Sequence, residues 1–303
     1  MCLARRLQVV SLIGSAALFS TSCASRVRPI ARGTRPATQR LLTATKKELI
    51  QKIADSYESI QSFSTTVDLT PSLGSVYKGQ IKDYTDITAY IDFRKPGFIH
   101  IAGLLPVVRT TAFNMVSDGT EFRVLLALKN RFIVGRNDAP GGSPNKLENI
   151  RPETFLSAML VRPIDPQKDM TIMLDDTTET TASYQLGIVR KDADGELLIS
   201  RRITFDRVNL QVVEQREYDA GGSIVSRSRY DDWHIYDNIR FPAHIEITRP
   251  KDEYGIVLLI TKMDINKPVP NARFVLAQPE GSELQTIGLT SSTQPSENGK
   301  DPK

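Results

Sequence analysis

Between Ile87 and Arg94 apolar and polar side chains alternate: Ile87, Ala89, Ile91 and Phe93 fall on one side of an extended chain, and Thr88, Tyr90, Asp92 and Arg94 on the other. Further stretches read as strands over 64–70, 75–84, 98–104, 110–117, 121–128, 131–135, 170–176, 181–191, 197–206, 210–219, 223–234, 241–249 and 254–265. The joints Ser117-Asp118-Gly119, Asp192-Ala193-Asp194-Gly195 and Ala220-Gly221-Gly222 supply residues that tolerate positive φ, so the chain reads as a meander of antiparallel hairpins. Two stretches follow a helical period instead. Thr45 with Glu48 matches a capping box, after which Leu49, Ile50, Ile53, Ala54, Tyr57 and Ile60 recur on one face. Residues 152–160 predict a short helix with Pro152 first, Phe155, Leu156, Met159 and Leu160 on its apolar side, and Pro163 beyond its end.

The pattern also says how the sheet must be arranged. Phe122 to Leu128 and Ile256 to Ile260 are apolar on both faces, so the sheet curls around helices or encloses a cavity. A tightly packed core and an open cavity fit this pattern equally well. Gly103-Leu104-Leu105-Pro106-Val107-Val108 stands where a polar turn is expected and predicts a protruding hydrophobic loop.

Composition narrows the class. With 303 residues, 40% hydrophobic and 24% charged, the chain can bury one sizeable core. At its start Arg5 and Arg6 precede an apolar run from Val9 to Phe19, which is shorter than the roughly 18–20 residues that span a bilayer. Small residues then lead to Cys23 in Leu18-Phe19-Ser20-Thr21-Ser22-Cys23. This stretch resembles a bacterial lipobox, with Ser20 where leucine is usual. The resemblance implies a leader of residues 1–22 and lipidation of Cys23; an ordinary signal peptide cut nearby would leave Cys23 free. Either way the chain leaves the cytoplasm. Cys2 departs with the leader, so the mature chain has no intramolecular disulfide and no thiolate metal site.

The formal charge of +4 falls to about +2 without Arg5 and Arg6, too little to point to nucleic acid. The charge is concentrated near the start: Arg26, Arg28, Arg32, Arg35, Arg40, Lys46 and Lys47 all come before the first acid, Glu48. Residues 23–44, broken by Pro29, Gly33 and Pro36, read as a flexible basic tether, either lying on anionic head groups or simply solvated. Ala24, directly after the cysteine, is not the aspartate that often retains lipoproteins at the inner membrane, so the lipobox resemblance implies the periplasmic face of the outer membrane.

Nothing in the sequence points to catalysis. His100, His234 and His244 lie on different strands without metal-ligand spacing, and neither a Gly-x-Ser-x-Gly elbow nor a Walker-type loop is present. Asp231-Asp232-Trp233-His234 lies along one strand, where neighbours point to opposite faces. Gly141 to Asn145 lacks the strand-to-helix setting of a phosphate cradle. Neither a cofactor nor a metal is implied.

Taken in order, the capped helix, long meander, Gly-Leu-Leu-Pro loop, central helix and further strands behind a lipobox cysteine resemble the LolA/LolB group of lipoprotein carriers. The lipid-anchored receptor branch, or a related group of uncharacterised lipoproteins with that fold, is the nearer match. The resemblance covers about Thr45 to Lys267. It implies a mainly β (α+β) fold: an unclosed antiparallel β-barrel of roughly 11 or more strands, with an N-terminal helix and the short central helix as a lid. The binding domain would span 45–277, followed by a disordered tail over 278–303. By resemblance, Leu104, Leu105 and Pro106 form a loop that hands cargo to the membrane, with Leu105 favoured. The cavity would be lined by Ile87, Ile91, Phe93, Ile99, Phe113, Phe122, Val124, Leu126, Phe155, Met159, Leu258 and Ile260. The implied partners are acyl chains of lipoproteins or lipids, the outer-membrane surface and a periplasmic carrier protein. A non-catalytic envelope scaffold with a filled core, binding another protein through a sheet edge or the leucine loop, is the alternative.

Overall fold

A computed structural model describes the backbone of Ser25–Arg28 and residues 40–107, 109–139, 146–178 and 180–288. Residues 1–24, with Cys23, and the loop 141–145 lie outside the described residues. Among the described residues sixteen strands join one sheet and two α-helices lie on it. The strands are β1 (Ser25–Arg28), β2 (Ser62–Ser75), β3 (Gln80–Tyr84), β4 (Ile87–Arg94), β5 (Phe98–Leu104), β6 (Thr111–Ser117), β7 (Glu121–Leu126) and β8 (Arg131–Arg136). Then follow β9 (Met170–Thr177), β10 (Ala182–Lys191), β11 (Leu197–Asp206), β12 (Val212–Tyr218), β13 (Ile224–Tyr236), β14 (Ile239–Arg249), β15 (Tyr254–Ile265) and β16 (Glu283–Ile287). The helices are α1 (Lys46–Glu58) and α2 (Pro152–Met159).

Across the sheet the order is β16, β8, β7, β6, β5, β4, β2, β15, β14, β13, β12, β11, β10, β9, antiparallel throughout except where β16 runs parallel to β8. β3 pairs with β2 and carries β1. The terminal strands β16 and β9 do not pair with each other, so the sheet is unclosed. This is the architecture expected from the resemblance.

The hairpins share one device. In each of three turns an aspartate (Asp118, Asp192, Asp219) accepts backbone N–H bonds through Oδ1 from residues two and three or four positions on. Gly195 at φ 84° and Gly222 at φ 74° then take the left-handed position.

Alternation puts one apolar face inward in directly opposed rows. Ile91, Ile101, Met115, Val124 and Ile133 run side by side across β4 to β8. Tyr230, Ile245, Leu258, Leu69 and Ile87 do the same from β13 to β4. Each such side chain, once buried, contributes about 1.5–3 kcal/mol. Helix α2 touches β5, β6 and β14 at once. On a flat sheet β5 and β14 would be about 19 Å apart, against a helix diameter of about 10–12 Å, so the sheet must bend around α2. Helix α1 covers the other half, where Leu49 and Ile53 join Leu186, Ile188, Ile203 and Phe205.

The outer face carries a strap. After β15 the chain crosses β5 to β8: Phe274 packs on Phe98 at 5.6 Å between ring centres, Arg94 stacks on both rings, and Leu276 packs with Val116 and Phe132. Beside the strap Asp92 is buried at 7% exposure, accepting from Ser64 Oγ at 2.6 Å and lying 3.3 Å from His100 Nδ1. Burial opposes its ionisation, but the hydrogen bonds from His100 and Ser64 and the charges of Arg273 and His100 outweigh it, so its pKa lies below the ordinary carboxylate value. The stability this gives is present above the unfolded-state pKa and is lost as pH falls through the lower, folded-state one. Asp92→Asn is expected to cost about 1–3 kcal/mol in urea unfolding at neutral pH and to differ less from the parent at about pH 3. Equal losses at both pH values would remove Asp92 from the acid sensitivity.

Three elements differ from the sequence expectation. Instead of one strand over 75–84, β2 runs on through Pro71 to Ser75. Thr70 and Pro71 fall between its pairing with β4, which ends at Leu69, and with β3, which starts at Ser72, so the missing proline N–H leaves no gap in either ladder. Within the tether expected over 23–44, Ser25–Arg28 pair with β3, Leu42 donates its N–H to Arg207 O at 2.7 Å, and Ala44 is buried. The tail expected from Gln278 does not start there, because Glu283–Ile287 form β16. That strand is held by backbone pairing, and composition does not register backbone pairing.

Candidate functional site

Helix α1 starts as its capping box dictates: Glu48 N donates to Thr45 Oγ1 at 3.3 Å, and Glu48 Oε2 accepts from Thr45 N at 2.7 Å. The bonds that the Glu48 carboxylate accepts from Thr45 N and, at 2.9 Å, from Thr45 Oγ1 hold it below its ordinary pKa. Its start is tied to the edge strand by Lys46 Nζ, which donates to Thr171 O at 3.2 Å. Its end is tied more firmly. Lys95 Nζ donates to Tyr57 O at 3.0 Å and sits 4.2 Å from the Tyr57 ring centre, a cation at the negative helix terminus. Asn266 Nδ2 donates to Ser59 O and its Oδ1 accepts from Gln61 N, both at 2.7 Å.

Between the end of α1, the end of α2 and strands β11 to β14 lies a cleft of about 60 Å3. Ile53, Tyr57 and Ile60 form one wall, Met159, Leu160 and Val161 the second, and Phe205, Val212, Tyr230, Trp233 and Phe241 the floor. Lys52, Ser56, Gln211 and Arg240 add polar groups at its edge. Burial pushes the Tyr230 hydroxyl well above its ordinary pKa, so it stays neutral. Trp233 Nε1 is a buried donor without an acceptor. The cleft is thus an apolar slot with two buried polar groups left unpartnered, the Tyr230 hydroxyl and Trp233 Nε1, and it links the core around α2 to the smaller core under α1.

The twelve residues expected around a cavity lie together. Ile91, Phe93, Ile99, Phe122, Val124, Phe155, Met159, Leu258 and Ile260 are buried in one cluster, with Ile87, Phe113 and Leu126 packed against it. Met159 is the one of them that borders the cleft. The others belong to the filled core that includes α2, whose Phe155 and Ala158 are each 1% exposed. Sequence reasoning did not assign Tyr57, Phe205, Tyr230, Trp233 and Phe241 to a site; for the last four, aromatic side chains on the second half of the meander were the available signal.

In the leucine loop, Leu104 ends β5 and is half-buried, as is Leu105, whose N–H reaches Thr110 O at 2.8 Å. Pro106 is exposed, and Val107 stands out at 98% exposure with φ 67°. The loop's outermost apolar side chain among the described residues is therefore Val107. The histidines lie apart: His100 beside Asp92 and Asn114, His234 at 2.9 Å from Asp232 on the surface, and His244 opposite Asp231. Among the described residues no group of three or more His, Cys, Asp or Glu is placed to hold a metal ion.

No protein-family model matches the sequence, and no curated protein sequence matches it significantly. Solved structures do match. A DUF1329 family protein from Desulfovibrio piger is 14% identical at a TM-score of 0.50, over 75% of this chain and 94% of that one. A LolA superfamily protein from Nitrosomonas europaea is 12% identical at a TM-score of 0.49, over 77% and 99%. A putative outer membrane lipoprotein-sorting protein domain from Vibrio parahaemolyticus is 10% identical at 0.49, over 75% and 94%. At such identities the likeness concerns the fold alone.

Proposed function

We propose that this chain is a lipid-anchored protein of the cell envelope that takes up an acyl chain of a lipoprotein or lipid beneath α1 and helps pass it to the outer membrane. The observation that carries the reading is the apolar cleft under α1, with the unpartnered Trp233 Nε1 in its floor. At about 60 Å3 the cleft is too small for an acyl chain, so α1 serves as the lid. The fixed point is Ser59–Gln61, clamped by Asn266 and Lys95, and the start of the helix swings. Swinging it out would join the cleft to the apolar surface of Leu186, Ile203 and Phe205. Each buried methylene contributes about 0.8 kcal/mol, so the chain passes to whichever cavity or bilayer is more favourable without a catalytic step.

In this reading Cys23 carries the anchor on the periplasmic face of the outer membrane. A periplasmic carrier delivers the cargo, and the loop Leu104-Leu105-Pro106, with Val107 at its tip, meets the membrane surface. The test is native mass spectrometry with lipid extraction on protein purified from its own membranes. The intact mass is expected to show acylation at Cys23 and a bound lipid or acylated peptide. Val212→Trp, which fills the cleft, is expected to lose the ligand at least tenfold with little change in Tm. Val107→Asp is expected to keep the ligand and slow its delivery to liposomes. An empty parent protein, or a ligand retained by Val212→Trp, would overturn the cleft reading.

A second reading has its own observation. On edge strand β9, Met170, Ile172 and Leu174 are 45%, 55% and 53% exposed on one face, an open strand for β-addition by a protein partner. Charges placed at Ile172 and Leu174 would abolish such binding and leave lipid uptake untouched.

A further inference from the structure

Three joints at one end of the sheet present large apolar side chains to solvent. Leu128, between β7 and β8, is 71% exposed, and Val107 crowns the loop between β5 and β6. The register sets these two joints side by side: Gly103 pairs with Phe113 and Phe113 with Leu126, so β5 and β7 stop within one residue of each other. Two strand spacings, about 10 Å, separate them. In the turn between β2 and β3, Val76 and Tyr77 are 59% and 70% exposed.

The start of the chain leads to the same place. β3 and β4 pair with the same edge of β2, because β15 occupies the other, and β1 lies on β3 as β5 lies on β4. Ser25 pairs with Tyr84 and Leu104 with Thr88, so β1 begins about four residues, or about 13 Å, beyond the end of β5. Cys23 precedes Ser25 by two residues, which span about 7 Å at most, so an anchor attached there holds the protein beside the base of the Val107 loop. Charge does not oppose a membrane at these joints. Residues 75–80, 105–110 and 127–131 contain Lys78, Arg109, Lys129 and Arg131 and no acid. Glu253 and Glu148, which partner Lys78, Lys129 and Arg131, come from other segments, and so does Glu283, 3.6 Å from Arg131. The turns 192–196 and 219–223, farther along the same end, are acidic instead.

We propose that Val107 and Leu128, with the Val76–Tyr77 tip on their anchor side, form a foot that docks this end of the sheet on a lipid bilayer. The proposal rests on the reading of Cys23 as the membrane anchor, and it adds the β7–β8 joint, the β2–β3 turn and an orientation to the contact. Apolar side chains on separate tips suit a fluid surface, into which each sinks about 5–10 Å on its own, better than a fixed pocket.

Full-length protein is reconstituted in vesicles of phosphatidylcholine and phosphatidylglycerol, with and without bromine on the acyl chains, and tryptophan emission is compared. The parent's only tryptophan, Trp233, stands towards the opposite end of β13 and is expected to keep its emission. Leu128→Trp and Tyr77→Trp, at exposed positions that tolerate the change, are each expected to add emission that brominated lipid lowers about twofold. Ile235→Trp, at a position 64% exposed beside the β13–β14 turn, is the matched control and is expected to stay unquenched. An unquenched Leu128→Trp or Tyr77→Trp overturns the foot and leaves the tips to a protein partner, and equal quenching of Ile235→Trp overturns the orientation. Native mass spectrometry of the same proteins separates this result from the acyl reading: ligand retained without quenching sinks the foot alone, and quenching on an empty protein sinks the cleft alone.

Discussion

Phe155→Ala is expected to lower the free energy of unfolding by about 3–5 kcal/mol, the cost of a buried phenylalanine whose surroundings cannot collapse. The surroundings here are rigid for a stated reason. Phe155 is 1% exposed on a helix of eight residues that bridges β5, β6 and β14, and the sheet is bent around that helix. The rows on either side, Ile91 to Ile133 and Tyr230 to Ile87, are fixed by backbone ladders and cannot move in singly to fill the gap. Urea unfolding would read the loss as a lower midpoint at unchanged slope. A cost under about 1 kcal/mol would mean that the sheet holds its bend without α2.

Ile53→Asp is expected to release α1 while leaving the core around α2 folded. Ile53 is 2% exposed and belongs both to the cluster under α1 and to the wall of the cleft. Placing a carboxylate there costs several kcal/mol, more than the bond from Lys46 to Thr171 O at the start of the helix supplies. The clamp at Ser59–Gln61 remains. Amide protection in Lys46–Tyr57 should fall at least a hundredfold while β2, β4 and β15 stay protected, and bound lipid should leave at least tenfold faster. Uniform loss of protection would show α1 to be part of the core and not a lid.

The legible parts of this fold were those set by local chemistry. Thr45 and Glu48 announced α1 because the capping box is a contact three residues apart, and Pro152 announced α2 for the same kind of reason. The hairpins were readable from Asp118-Gly119, Asp192 to Gly195 and Gly221-Gly222, residues that tolerate positive φ, and the structure adds that Asp118, Asp192 and Asp219 bond to their own turns. What stayed hidden depends on distant partners. Pro71 reads as a strand breaker until it is seen to lie between two neighbouring strands, and the polar β16 is held by β8 rather than by a pattern of its own. The alternation of Ile91, Val124 and Leu258 places them on an inner face, but it cannot say whether that face meets empty space or a helix.

The seam between β2 and β15 sets a timetable for the chain. Thr65 and Lys262 meet across 197 residues, and this pairing joins the meander of β4–β8 to that of β9–β15. Contacts so far apart in sequence form slowly, since the loop between them must close before anything is gained. At synthesis rates of about 5–20 residues per second, the roughly 180 residues between Ser75 and Tyr254 take about 10–40 s to appear. For that interval one edge of β2 has no partner. A helper that shields a bare strand edge during biogenesis would therefore limit the yield of this protein more than the final stability of its sheet.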